Sequence, residues 1–141
     1  MRAFVDTTVL LAAANADHIH YGPSRALVLS LNRRHDACAA HSFAELYSTL
    51  TRIPLPQRRN ASQAMLFVAD IQARLTPIAL TPDEYVAAIT EYSAMGVVGG
   101  AIYDALIARC ALKARAEKIF TWNIRHFRLF GSEVEKKLRT P

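Results

Sequence analysis

Short apolar runs at residues 2–5, 37–40, 76–79 and 118–121 are too brief for helices and read as strands. Between them, apolar residues recur at helical spacing. Phe43, Leu46, Tyr47 and Leu50 fall at i, i+3, i+4 and i+7, one stripe of a helix that must end before Pro54. Past the connector IPLPQRR, Ala64, Phe67, Val68, Ile71 and Leu75 repeat the stripe. Thr81-Pro82-Asp83-Glu84 opens a further helix with a cap threonine, a proline in the first turn and a capping-box glutamate, and Tyr85, Ile89 and Tyr92 are assigned to its inner face. GVVGG at 96–100 breaks that helix, and IYDALIARCALKARA carries another to about residue 116. Strands alternating with longer helical segments predict an α/β fold with a parallel sheet. No repeat, low-complexity tract or linker divides the chain, so one domain over residues 1–141 is expected.

In open parallel sheets the strand carboxyl ends converge on one edge, where helices begin and ligands bind. Asp6 stands immediately after the first strand, and Glu45 lies in the first turn of the helix after the second. Asp104 sits near the start of the helix after GVVGG, and Asn123 lies two residues past the last strand. Local alternatives exist for three of them. Asp6 suits the N-cap of a helix starting at Thr7 or Thr8, Asn123 suits the cap of a turn before His126, and Ser42-Phe43-Ala44-Glu45 spells a capping box. Asp104 is flanked by Ile102, Tyr103, Ala105, Leu106 and Ile107, a setting in which a carboxylate needs water, a cation or hydrogen bonds. Glu45 points away from its helix's apolar stripe and is free to face a cleft. Carboxylates gathered without lysine or arginine raise one another's pKa unless a divalent cation neutralises them, and oxygen donors favour Mg²⁺ or Mn²⁺. Such an ion suits phosphodiester hydrolysis.

Composition narrows the partner. The chain has 141 residues, 52% hydrophobic and 21% charged, with 17 Lys and Arg against 12 Asp and Glu, a net charge of +5 and a pI near 9.6. This balance favours a polyanion such as nucleic acid, or an acidic protein. No apolar span is long enough for a bilayer and the start lacks a secretory pattern, so a soluble, cytoplasmic protein is expected. Cys38 and Cys110 lie in apolar, alanine-rich settings without a second ligand nearby, which predicts buried free thiols.

The blocks FVDTTVLLAA, SFAELYSTL, GGAIYDALIARCAL and IFTWNIRHF, in that order over nearly the whole chain, resemble the PIN-domain family, specifically the VapC-type toxins of bacterial toxin–antitoxin pairs. The resemblance implies a three-layer α/β/α PIN-like fold with a short, mainly parallel central sheet. It also implies an Mg²⁺- or Mn²⁺-dependent endoribonuclease acting on structured RNA such as tRNA or rRNA and leaving a 5′-phosphate and a 3′-hydroxyl. A homodimer and a cognate VapB-like antitoxin are its implied partners. By position, Asp6, Glu45 and Asp104 match three acids of the family's metal site. The fourth falls on Asn123, where the usual T-x-D reads Thr121-Trp122-Asn123. Asparagine keeps an oxygen but loses a charge, so one well-held metal and a weak or substrate-dependent second are expected. Thr8 matches a small hydroxyl residue that often follows the first aspartate, and Thr8 and Thr121 are expected to support the site by orienting water.

Other residues admit two uses each. His18 and His20 form an HxH pair without further zinc ligands, which leaves phosphate contact near the cleft's rim. His126 with Phe127 matches the family's closing motif, and a hydrogen-bonding or packing role is favoured over acid catalysis. Trp122 shares a strand-like face with Phe120, which favours core packing over stacking on an extruded base. Tyr47, Tyr85 and Tyr92 are candidates for a dimer face. Two rival functions remain. One is an aspartate-based phosphatase using Asp6, weakened because DTT lacks a second acid; the other is a catalytically weakened RNA- or antitoxin-binding module, motivated by Asn123.

Overall fold

Alternation along β1 decides how the two layers of helices are placed. The computed structural model describes residues 1–141. In β1 (Ala3–Val5), Ala3 and Val5 enter one apolar cluster while Phe4 enters the other. In β2 (Asp36–Ala39), Cys38 joins the first cluster, and Ala37 and Ala39 join the second. Successive side chains of a strand face opposite sides, so both faces of the sheet are buried. With β3 (Thr76–Ile78), β4 (Lys118–Phe120) and β5 (Leu138–Arg139) the sheet has the order β3-β2-β1-β4-β5, every neighbouring pair parallel. Helices α1 (Thr7–Ala14), α2 (Tyr21–Ser30), α3 (His41–Arg52) and α4 (Ala61–Arg74) cover one face. Helices α5 (Pro82–Ala94) and α6 (Ala101–Lys113), with the short α7 (Ile124–Phe127) and α8 (Ser132–Glu135), cover the other. This is a three-layer α/β/α arrangement.

The four expected strands are present, each within one residue of its expected bounds. The fifth, β5, is two residues long and amid charges, so no apolar run announces it; Ile119 pairs with Leu138 at the sheet's edge. Thr81 and Glu84 form the expected capping box on α5. Its inner face differs from expectation: Tyr92 is 1% and Ala88 0% exposed, but Tyr85 and Ile89 are 39% and 44% exposed. Ala88 and Tyr92 lie four apart and set the buried line, which carries Tyr85 and Ile89 onto the flank. Tyr47 is likewise at the margin of α3, at 36%. Gly96, at φ +82°, ends α5: its N–H and that of Val97 close back on the carbonyls of Ser93 and Tyr92. That reversal needs a left-handed residue, which glycine supplies at no steric cost. Cys38 and Cys110 are buried free thiols in different clusters on opposite faces of the sheet, and burial pushes them up to about 12 and about 11.

Candidate active site

The chain builds the sheet outward from β1 in two directions, through β2 to β3 on one side and to β4 and β5 on the other. A crevice therefore opens between the carboxyl ends of β1 and β4. Asp6 and Thr121 are the first residues past those two strands, and the Asp6 N–H donates to the Phe120 carbonyl at 2.9 Å. Asp6 occupies the N-cap position of α1 yet makes no side-chain cap bond. Its carboxylate is 1% exposed and turns into the crevice instead, where Oδ2 accepts the hydroxyls of Thr8 and Thr121, both at 2.8 Å. Those hydroxyls in turn accept backbone N–H groups, Thr8 from Trp122 at 3.1 Å and Thr121 from Asn123 at 2.9 Å. Each amide-to-hydroxyl-to-carboxylate chain polarises toward Asp6 and holds it in one orientation. Desolvation nevertheless raises the Asp6 pKa, the hydroxyl bonds offsetting only part of it.

Glu45 arrives from α3. The helix begins at His41, and Ser42 makes no capping box with Glu45. Thr7 Oγ1 instead bonds both Ser42 Oγ, at 2.8 Å, and Glu45 Oε1, at 3.0 Å, pinning the start of α3 to the first turn of α1; Glu45 is the fifth residue of α3, just past the first turn in which it was expected. Thr7 is the supporting residue that sequence reasoning passed over; its only signal was a second hydroxyl in DTT. Asp104, in the first turn of α6, completes the group. Its carboxyl is pushed up to about 6, first by desolvation, then by the charges of Asp6 and Glu45, with His126 and an Asn123 hydrogen bond pulling the other way. The Asn123 side chain does not cap α7. Its Nδ2 donates to Asp104 Oδ2 at 3.4 Å and lies 3.0 Å from His126 Nδ1.

Asp6, Glu45, Asp104 and Asn123 thus reach one edge of the sheet, supported by Thr8 and Thr121. None of the three acids is in an ion pair. No three His, Cys, Asp or Glu side chains are placed close enough to ligate one ion as they stand. The donors fit a hard cation chemically, being carboxylate oxygens with mutual repulsion and no lysine or arginine to relieve it, and gathering them on one ion takes side-chain rotation. Trp122 packs against the same cluster as Phe120, as expected. His20 stacks on its ring at 3.7 Å and 7°, and Trp122 Nε1 donates to Ser24 Oγ at 2.8 Å. One face of the indole and its N–H are therefore already used. His18 lies beside His20, its Nδ1 accepting the His20 N–H at 3.0 Å.

The PIN-domain model matches residues 3–130. Ribonuclease VapC40 of Mycobacterium tuberculosis is 35% identical over 120 residues, 85% of this chain and 85% of that protein. Ribonuclease VapC27 of the same organism is 32% identical over 114 residues, 80% of this chain and 79% of that protein. Among solved structures, VapBC2 from Rickettsia felis, bound to a DNA fragment from their promoter, contains a chain with the same fold: the TM-score is 0.63 at 23% identity, covering 92% of this chain and 93% of that one. With a doubly wound sheet, acids at its switch point and a family match over nearly its whole length, this chain belongs to the PIN-domain family, in its VapC branch.

Proposed function

We propose that the protein is a divalent-metal-dependent endoribonuclease toxin, one PIN domain over residues 1–141, that cleaves structured RNA such as tRNA or rRNA. The observation that carries this reading is the unneutralised trio Asp6, Glu45 and Asp104, held at the switch point with a carboxyl raised to about 6. Its relatives bear the name ribonuclease, which supports RNA as the substrate class. The VapBC2 complex from Rickettsia felis supports an antitoxin-like partner; of the three tyrosines expected at a dimer face, Tyr92 is buried, and the exposed Tyr47 and Tyr85 are left for a homodimer contact.

Asp6, Glu45 and Asp104 would hold Mg²⁺ or Mn²⁺, with Asn123 assisting. When bound, the ion supplies Lewis acidity toward the scissile phosphate and toward water, and neutralises the carboxylates. Thr8 and Thr121 both bond Asp6 through Oδ2, which leaves Oδ1 for a ligand. Thr7 fixes where Glu45 meets the mouth, and Asn123 links Asp104 to His126 through its side-chain amide. Asn123 contributes no charge, so the site should hold one ion well and a second weakly.

The test is cleavage of a panel of structured RNAs by purified protein with Mg²⁺, with chelator, and with Asp104→Asn. Metal-stimulated cleavage that leaves 5′-phosphate ends, lost with chelator and in the variant, is the expected result. Full activity in a contaminant-free Asp104→Asn preparation overturns it. Tight RNA binding with no cleavage across the panel overturns it in favour of a binding module.

A further inference from the structure

The amino-terminal edge of the sheet bears the charge that the mouth lacks. Arg2 leads into β1, Arg33 and Arg34 into β2, Arg74 into β3 and Lys137 into β5, while Lys118 opens β4. Because all five strands run parallel, these residues share one edge, the one opposite the acids. At about 4.8 Å per strand the row is about 19 Å long. Backbone bonds tie it together: Arg2 N–H to His35 O at 2.7 Å, Lys118 N–H to Arg2 O at 3.2 Å and Ile119 N–H to Lys137 O at 2.9 Å. Two of the cations are paired within the fold, Arg2 with Asp36 and Arg74 with Asp70. Arg33 and Arg34 are exposed and have no acidic partner.

This pair is also held rigidly. Asp36 Oδ2 accepts the Asn32 N–H at 2.8 Å, Asn32 Oδ1 accepts the Arg34 N–H at 2.9 Å, and the Asn32 carbonyl accepts the N–H groups of His35 and Asp36. From the other side Thr76 Oγ1 donates to the Arg33 carbonyl at 2.7 Å. Between this turn and the end of α4 lies an open groove of about 640 Å³ whose polar lining is Asn32, Arg33, Arg34, Arg74 and Thr76. Guanidinium groups beside the Asn32 amide in a concave surface suit phosphate oxygens, and the row, interrupted by Glu117 before Lys118, still suits a repeating anion better than a single carboxylate.

We propose that this edge, centred on the Arg33/Arg34 groove, is a second RNA-binding surface that grips the phosphodiester backbone flanking the segment at the mouth. The proposal rests on the ribonuclease reading for its choice of polyanion. Helices cover both faces of the sheet, so RNA leaving the mouth passes around a helix layer about 10 Å deep as well as the roughly 13 Å length of β2, a path of roughly 33 Å or about ten nucleotides. The two edges then divide the work: the acids repel bare RNA and await a cation, while the basic row draws the chain in over long range.

Anisotropy of a labelled hairpin RNA with a single-stranded tail, measured in chelator at several salt concentrations, tests this without metal or cleavage. Arg33→Glu/Arg34→Glu is compared with Arg52→Glu/Arg58→Glu, which reverses the same charge at the end of α3 and in the loop after it, with melting temperatures confirming both folds. The expected result is roughly 10-fold weaker binding for the first pair relative to the second, and a salt slope shallower by about 1.4, the value for two lost single-strand phosphate contacts. Equal affinity and slope for the two pairs overturn the proposal. So does competition by poly-glutamate as effective as that of RNA, which assigns the edge to an acidic protein, or preference for duplex DNA over the RNA. A wild-type protein that cleaves no RNA would overturn the ribonuclease reading and leave this binding measurement intact.

Discussion

Asp6 and Asp36 are both buried aspartates on the same sheet, 1% and 0% exposed, at opposite edges of neighbouring strands. Asp36 is answered by the fold: it accepts an Arg2 guanidinium at 3.1 Å, the Ala3 N–H at 3.2 Å and the Asn32 N–H at 2.8 Å. Asp6 meets neutral hydroxyls on Oδ2, and its own charge is the like charge that raises the Asp104 carboxyl most. A buried carboxylate with a cation and two amides is a staple between elements. One with oriented hydroxyls, like-charged neighbours and no cation is stable only at a cost, which a bound divalent ion would offset.

Exchanging the two losses breaks or sharpens this contrast most strongly. Asp6→Asn should reduce cleavage by roughly 10³-fold or more while keeping or raising the melting temperature. Asp36→Ala should cost about 2–4 kcal/mol by orphaning the Ala3 and Asn32 amides, a fall of roughly 8–15 °C, while retaining the stabilisation by divalent ions. Thermal melts and cleavage assays on both proteins check it; a destabilised Asp6→Asn with full cleavage would reverse the assignment of the two edges.

Next in size is the response to metal. Mn²⁺ or Mg²⁺ at about 100-fold over its dissociation constant should stabilise the wild type by about 2.7 kcal/mol and leave Asp6→Asn unmoved. Calorimetry should find one tight ion per chain. Two equally tight ions would show that Asn123 costs the site nothing.

The smallest effect is in pH. Without metal the Asp104 carboxyl is raised to about 6 from 3.8, so its protonated form favours the fold. That contribution is complete below about pH 4 and is lost as pH rises through about 6, of order 1–2 kcal/mol after solvent screening. Melting profiles in chelator should show this loss in the wild type and a smaller one in Asp104→Asn, where the raised Asp6 carboxyl still titrates.

Much of the fold was legible because its signals are local. Apolar runs announced β1 to β4, the Thr81/Glu84 box announced α5, and GVVGG announced the break before α6. The carboxyl ends of those strands already nominated Asp6, Glu45, Asp104 and Asn123. Where local rules offered two answers, tertiary contacts chose. Asp6 holds an N-cap position without a cap bond because Thr121, just past a strand more than a hundred residues away, binds its oxygen. Ser42 and Glu45 spell a capping box but are drawn to Thr7 instead. Asn60 and Gln63 do form a box, at a site the apolar stripe alone did not single out. Tyr85 and Ile89 had the right spacing for the core, but the buried line of α5 runs through Ala88 and Tyr92 instead.

The sequence by itself determined the element types, the α/β class and which polar side chains stand at the strand ends, because periodicity, caps and strand ends depend on near neighbours. Only the tertiary structure decided that β4 lies beside β1, bringing Thr121 onto Asp6 and leaving the acids without a cation while Asp36 has one. Strand order is a property of distant segments packing through a shared core, and charge satisfaction depends on which of those segments meet.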